Sequence, residues 1–305
     1  MVNFNSRLKD TRLHKFLLIG LFFSLVASCS GEKIDNGQVF RMPISNEPPT
    51  LDWSLATDSV SFDILTNIME GLTQYDSNME PVPAIAKRWE ISKNGKTITY
   101  YLRDDVFWTD GKPVTAHDFE YSWKRLLNPA TAAQYAYFLF DVENAQEFNS
   151  GKISDPSKVG VSAKTDHILE VRLKKPVVYF PSITTFMVTF PQRKDIVEKF
   201  GDHWTDPENI VTNGPFKLSA WEHEYKLILT ANENFYEGRP PLDTILAYVI
   251  REKTTALTLY ETGELEMVEL PPVAIPHFKN HEEYKNLPQL RGYYYGINVL
   301  KPPFD

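Results

Sequence analysis

A mixed α/β (α+β) fold is predicted by three features of the sequence. The chain has 305 residues, 42% of them hydrophobic and 13% aromatic, which suffices for a sizeable core in about two domains. Alternating apolar residues around Asn94-Gly95 predict a β-hairpin over 87–102. Apolar residues at helical spacing follow Thr115. Hairpins mixed with isolated helices favour this class over an all-β sandwich.

The remaining elements follow from periodicity and from residues that start or stop helices. Thr115 and Asp118 resemble a capping box, and Asn128-Pro129 ends the helix that they open. Strand-like runs occur at 38–42, 169–173, 216–222, 225–231, 245–250 and 293–298. Helical spacing followed by a glycine occurs at 61–70, 195–200 and 254–261. The tryptophans predicted to lie in the core are Trp89, Trp108 and Trp123.

Residues 1–28 have the pattern of a secretion signal. Four basic residues precede an apolar run at 16–26, which is too short to span a bilayer comfortably and suits a signal peptide. The run from Val26 to Cys29 resembles a bacterial lipobox, in which the cysteine is lipidated. Cys29 is the single cysteine of the chain, so we expect it to carry a lipid anchor, with 29–38 as a tether. An ordinary secretory peptide, with Cys29 as an incidental thiol, is the alternative.

The sequence contains no recognisable catalytic or cofactor motif. It lacks G-x-S-x-G, H-E-x-x-H, a P-loop and G-x-G-x-x-G. His277 and His281 have a spacing that could hold a metal, but the charged residues around them favour a solvated helix, so no metal or cofactor is predicted. A net charge of −8 argues against nucleic-acid binding. An envelope hydrolase stays open because catalytic triads are spatial arrangements.

Seven segments point to a family. They are EPPTLD at 47–52, MEGL at 69–72, PAIAKRW at 83–89, YLRDDVFWTDGKPVTA at 101–116, DFEYSWKR at 118–125, NIVTNGPF at 209–216 and KPPFD at 301–305. Together, and in this order, they resemble the dipeptide/oligopeptide-binding family of extracytoplasmic solute-binding proteins of ABC importers.

The resemblance implies a type II periplasmic-binding-protein-like fold whose two lobes close on a peptide. Residues 39–70 and 191–305 would form a discontinuous first lobe, and 71–190 an intermediate, family-specific domain. Whole members continue into a second lobe, which this chain is expected to lack.

The resemblance also implies a function. We expect a monomeric, lipid-anchored receptor in the cell envelope that is not an enzyme, binds oligopeptides and delivers them to permease and ATPase subunits. A truncated remnant without a transport role is the alternative, because one lobe cannot enclose a peptide. The loop whose main chain would pair with the peptide is Thr57, Asp58 and Ser59. The other nominated residues are Tyr135, Tyr294, Tyr295 and, at the cleft edge, Glu269.

Overall fold

The computed structural model describes residues 37–287 and 295–304. The strands in this part are β1 Val39–Ile44, β2 Thr73–Tyr75, β3 Pro81–Pro83, β4 Ala86–Ile91, β5 Thr97–Leu102, β6 Val161–Thr165, β7 Ile168–Arg172, β8 Phe216–Glu222, β9 Lys226–Ala231 and β10 Thr244–Val249. The α-helices are α1 Ser59–Ile68, α2 Ala116–Leu127, α3 Ala145–Asn149, α4 Phe180–Ile183, α5 Lys194–Phe200, α6 Lys253–Glu261 and α7 Ile275–Phe278. The predicted mixed α/β class is confirmed.

Within residues 37–287 and 295–304, the strands form two four-stranded sheets and a small β2–β3 pair. The first sheet has the order β1-β10-β9-β8, with β1 parallel to β10 and the other pairs antiparallel. The second has the order β4-β5-β7-β6 and is antiparallel throughout. The predicted hairpin is β4–β5, and Gly95 occupies its turn with a φ of 69°, a conformation that favours glycine.

Helix α2 begins and ends where the sequence predicts. The backbone N–H of Thr115 donates to the Asp118 carboxylate at 2.8 Å, as in a capping box. The helix buries Phe119 and Trp123 and packs against β6 and β7. Trp123 donates through Nε1 to the carbonyl of Thr189 at 2.8 Å, which ties α2 to a 3₁₀ turn.

Two expectations about core and strands need correction. Trp108 and Trp123 are buried as predicted, whereas Trp89 is only half-buried because β4 is an edge strand of its sheet. Residues 295–298 were expected to form a strand, but they belong to none and are exposed. Alternating apolar and polar residues indicate an extended segment with two different faces, but such a segment becomes a strand only when it is hydrogen-bonded to a neighbouring strand. The rest of that segment lies outside the described residues.

An ion pair between the buried Asp52 and the partly buried Arg125 fixes the loop that precedes α1. Asp52 is 5% exposed and accepts two hydrogen bonds from the Arg125 guanidinium, at 2.9 and 2.6 Å. Its carboxylate also accepts from Trp204 Nε1 at 3.2 Å and from the backbone N–H of Ser54 at 2.9 Å. The loop is therefore attached both to α2 and to the segment after α5, which places residues 57–59.

Candidate functional site

The loop of residues 57–59 presents main-chain donors at the start of α1. Asp58 is extended and caps the helix, accepting from the backbone N–H of Ser61 at 2.9 Å and from its hydroxyl at 2.7 Å. The Asp58 carboxylate is thereby engaged locally. Within the described ranges, the N–H groups of Thr57, Asp58 and Ser59 donate to no other residue. These groups are available to an external acceptor.

Tyr135 lies against this loop. It belongs to the 3₁₀ helix Gln134–Leu139, and its hydroxyl donates to the carbonyl of Thr57 at 3.3 Å, across 78 positions of sequence. The structure thus brings two of the predicted segments together. Aromatic rings surround Tyr135 with centroids within 6.3 Å, namely those of Phe62, Tyr137, Phe138 and Phe186. This packing holds the tyrosine in place.

The other predicted site residues are placed differently. The Glu269 carboxylate is ion-paired with Lys253, at the start of α6, and is mostly exposed. Tyr295 is 82% exposed. Tyr294 and Cys29 lie outside the described residues, as do the signal segment and most of the tether. The contact between Thr57 and Tyr135 is therefore the centre of the candidate site, and the roles of the other positions stay predictions.

A half-buried carboxyl that the sequence analysis did not single out lies two residues beyond the end of α1. Glu70 accepts a hydrogen bond from the Tyr236 hydroxyl at 2.8 Å, and its backbone N–H donates to Asn213 Oδ1 at 2.9 Å. Burial raises the pKa of Glu70 to about 7, and the nearby Glu237 adds to this. The Tyr236 hydrogen bond and the Arg103 guanidinium oppose the shift.

Glu70 can therefore change its charge near neutral pH. Its segment, residues 69–72, is one of those that carry the family resemblance, but no pattern in the sequence marks its carboxyl as buried. The burial arises from contacts with Tyr236, which is 166 positions away.

No group of three or more potential metal ligands exists among the residues that the structure describes. His277 lies in the four-residue helix α7 and His281 lies beyond its end, so the two do not share a helix. None of the described helices combines the length and the hydropathy needed to cross a membrane.

Comparisons with known proteins agree on one family. A model described as bacterial extracellular solute-binding proteins, family 5 Middle, matches residues 80–305. The dipeptide-binding protein DppE of Bacillus subtilis is 33% identical over 95% of this chain and 55% of its own length. The oligopeptide-binding protein OppA of the same organism is 35% identical, over 93% of this chain and 55% of its own.

A solved structure of a related protein has the same fold over most of this chain. The substrate-binding domain of an oligopeptide ABC transporter from Bacillus anthracis superposes with a TM-score of 0.77 and 35% identity. The match covers 81% of this chain and 48% of that one. The chain thus spans about half the length of the relatives that it matches.

Proposed function

Because this chain belongs to the bacterial extracellular solute-binding proteins of family 5, we propose that the protein binds oligopeptides outside the cytoplasm and delivers them to the permease of an ABC importer. In this proposal it performs no catalysis, and partner subunits hydrolyse ATP. The named relatives bind dipeptides or oligopeptides, which supports a peptide as the ligand.

The observation that carries the proposal is the loop of residues 57–59. Its three N–H groups have no partner in the described ranges, and Tyr135 holds the Thr57 carbonyl in place. A receptor for varied peptides needs main-chain groups of this kind, because they recognise a peptide backbone without selecting its sequence. Ser59 is exposed, and Thr57 and Asp58 are half-buried, so a peptide can reach the loop from solvent.

Substitution by proline tests whether this main chain pairs with a peptide. Ser59 is the first residue of α1, where proline is well tolerated because that N–H makes no intrahelical bond. Asp58 is already extended, with φ −116° and ψ 155°, as proline requires of its predecessor. Ser59→Pro therefore removes one donor at little cost to the helix. We expect the affinity for tri-alanine, measured by isothermal titration calorimetry, to fall about tenfold.

Lys194→Pro is the matched control. Lys194 is the first residue of α5 and follows Arg193, which is extended, with φ −82° and ψ 107°. This variant should bind tri-alanine as the unsubstituted chain does. Equal affinities of the Ser59 and Lys194 variants would refute pairing at the loop. If the unsubstituted chain binds no tripeptide, the proposed function itself is wrong.

Anchoring and domain division belong to the same proposal. We propose that residues 1–28 are removed, that Cys29 carries the lipid, and that 29–38 tether the folded part to the membrane surface. Residues 39–70 and 191–305 would form the first lobe, and 71–190 the intermediate domain. Metabolic labelling with an alkyne fatty acid should mark the chain, and Cys29→Ser should abolish the label. Persistent labelling of that variant would contradict the lipid assignment.

A further inference from the structure

Five aromatic side chains form a continuous cluster beside the loop of residues 57–59. We call it the aromatic platform, and its members are Phe62, Tyr135, Tyr137, Phe138 and Phe186. Tyr135 contacts each of the other four rings. The ring centroid of Phe186 is also 4.8 Å from that of Phe138 and 5.5 Å from that of Phe62. Tyr135 joins the platform to the loop, because its hydroxyl binds the Thr57 carbonyl.

Tyr137 is the exposed edge of the platform. Its side chain is 54% exposed, whereas Phe62, Tyr135, Phe138 and Phe186 are half-buried. One face of its ring stacks on Phe138, at 4.8 Å between centroids and 24° between planes. The rings of Tyr137 and Tyr135 form a T-shaped pair, with 5.8 Å between centroids and 81° between planes. Two neighbours thus hold the ring in position while much of its surface stays open to solvent.

The platform borders the loop through Tyr135, whose hydroxyl is 3.3 Å from the Thr57 carbonyl. Neighbouring strands lie about 4.7–4.9 Å apart, and side chains of an extended chain project to alternate sides. The Tyr137 ring is one ring away from Tyr135, and Tyr135 touches Thr57. A peptide that pairs with residues 57–59 would therefore have a side chain within reach of Tyr137.

We propose that Tyr137 forms a side-chain subsite for an aromatic residue of the bound peptide. The inference rests on the proposed function and adds a preference to it. None of the five members of the platform carries a carboxylate or a basic group, so the platform itself offers stacking and edge-to-face contacts. An aromatic ring gains most from such a surface, because it buries apolar area and completes an aromatic pair.

A tripeptide series tests this preference. The series consists of tri-alanine, the three peptides in which one alanine is replaced by phenylalanine, and the three corresponding lysine peptides. The variants are Tyr137→Ala, Tyr137→Leu and Tyr137→Phe. Leucine keeps an apolar contact with Phe138 but has no ring, whereas phenylalanine keeps the ring but lacks the hydroxyl. Tyr225→Ala is the control, because Tyr225 is 53% exposed and also meets a tyrosine edge-on, in β10. Affinities are measured by isothermal titration calorimetry.

We expect one phenylalanine peptide to bind the unsubstituted chain about three- to tenfold more tightly than tri-alanine. Tyr137→Ala and Tyr137→Leu should remove this ratio, whereas Tyr137→Phe and Tyr225→Ala should keep it. If Tyr137→Leu keeps the ratio of phenylalanine-peptide to tri-alanine affinity, or if the unsubstituted chain shows no preference, the proposed subsite is wrong. In either case, binding of tri-alanine would still support the proposed function. A Tyr137-dependent preference for lysine would also overturn the subsite, in favour of a cation–π site. If no peptide binds, both proposals are wrong.

Discussion

Replacing Glu70 by glutamine should remove a pH-dependent loss of stability. The Glu70 carboxylate accepts a hydrogen bond from Tyr236, and the Asn213 side chain binds the Glu70 main chain. Burial raises the pKa of the carboxyl from 4.5 to about 7. The unfolded chain releases this proton near pH 4.5, whereas the folded chain keeps it until about pH 7. The folded state therefore binds more protons than the unfolded state in between, and its stability falls as the pH rises through this window.

The size of the effect follows from the shift. A pKa difference of one unit corresponds to 1.36 kcal/mol, so a rise from 4.5 to about 7 corresponds to about 3 kcal/mol. This contribution is complete below pH 4.5 and is lost by about pH 8. Glu70→Gln cannot ionise and can still accept the Tyr236 hydrogen bond. The free energy of unfolding of the variant, relative to the unsubstituted chain, should thus increase by about 3 kcal/mol between pH 4.5 and pH 8.

Urea denaturation of both proteins at half-unit steps between pH 4.5 and pH 8.5 measures this difference. Subtracting one curve of unfolding free energy against pH from the other removes the contributions of the histidines and the other carboxyls, because both proteins contain them. Glu237→Gln serves as a control that keeps the titrating group; removing the neighbouring charge should move the transition to lower pH without abolishing it. A difference between Glu70→Gln and the unsubstituted chain that stays constant over the whole range would refute the burial argument.

Two further predictions concern the packing that positions the site. Arg125→Ala should lower the free energy of unfolding, measured by urea denaturation, by about 3–5 kcal/mol, because it leaves the buried Asp52 carboxylate without its cation. The control is Arg172→Ala, which breaks an exposed ion pair and should lower the free energy of unfolding by less than about 1 kcal/mol. Gly214→Ala should lower the free energy of unfolding by about 1–3 kcal/mol, because its new Cβ would lie 2.5 Å from the backbone at the end of α1. The control is Gly296→Ala, whose new Cβ would meet nothing within 4 Å and should leave the stability unchanged. Equal costs within either pair would contradict these assignments.

The local elements of the fold could be predicted because their causes lie within a few residues. The Asn94-Gly95 turn, the capping box of α2 and its end before Pro129 were all predicted, and the structure confirms them. Periodicity predicted strands at 216–222 and 225–231, which β8 and β9 confirm. The segment 295–298 is the exception, because a strand depends on a partner that local alternation cannot specify.

The candidate site could be predicted only in part. The family resemblance nominated Thr57 and Tyr135 separately, and their hydrogen bond joins them across 78 residues. The sequence could not predict that Tyr137 is exposed, because nothing in the run of aromatic residues distinguishes it from Tyr135 and Phe138. Which ring faces solvent depends on how the 3₁₀ helix packs against Phe186, and that contact is nonlocal.

By itself, then, the sequence determined the fold class, the family and the order of the local elements, because periodicity, caps and turns act over short distances. The tertiary structure decided which strands are neighbours, as in the parallel pairing of β1 with β10 across 205 positions. It also decided that the Glu70 carboxyl is shielded from water and that the N–H groups of residues 57–59 have no acceptor in the described part of the chain. Burial and desolvation are properties of the folded environment, so groups distant in sequence set the charge of Glu70 and the position of the Thr57 carbonyl.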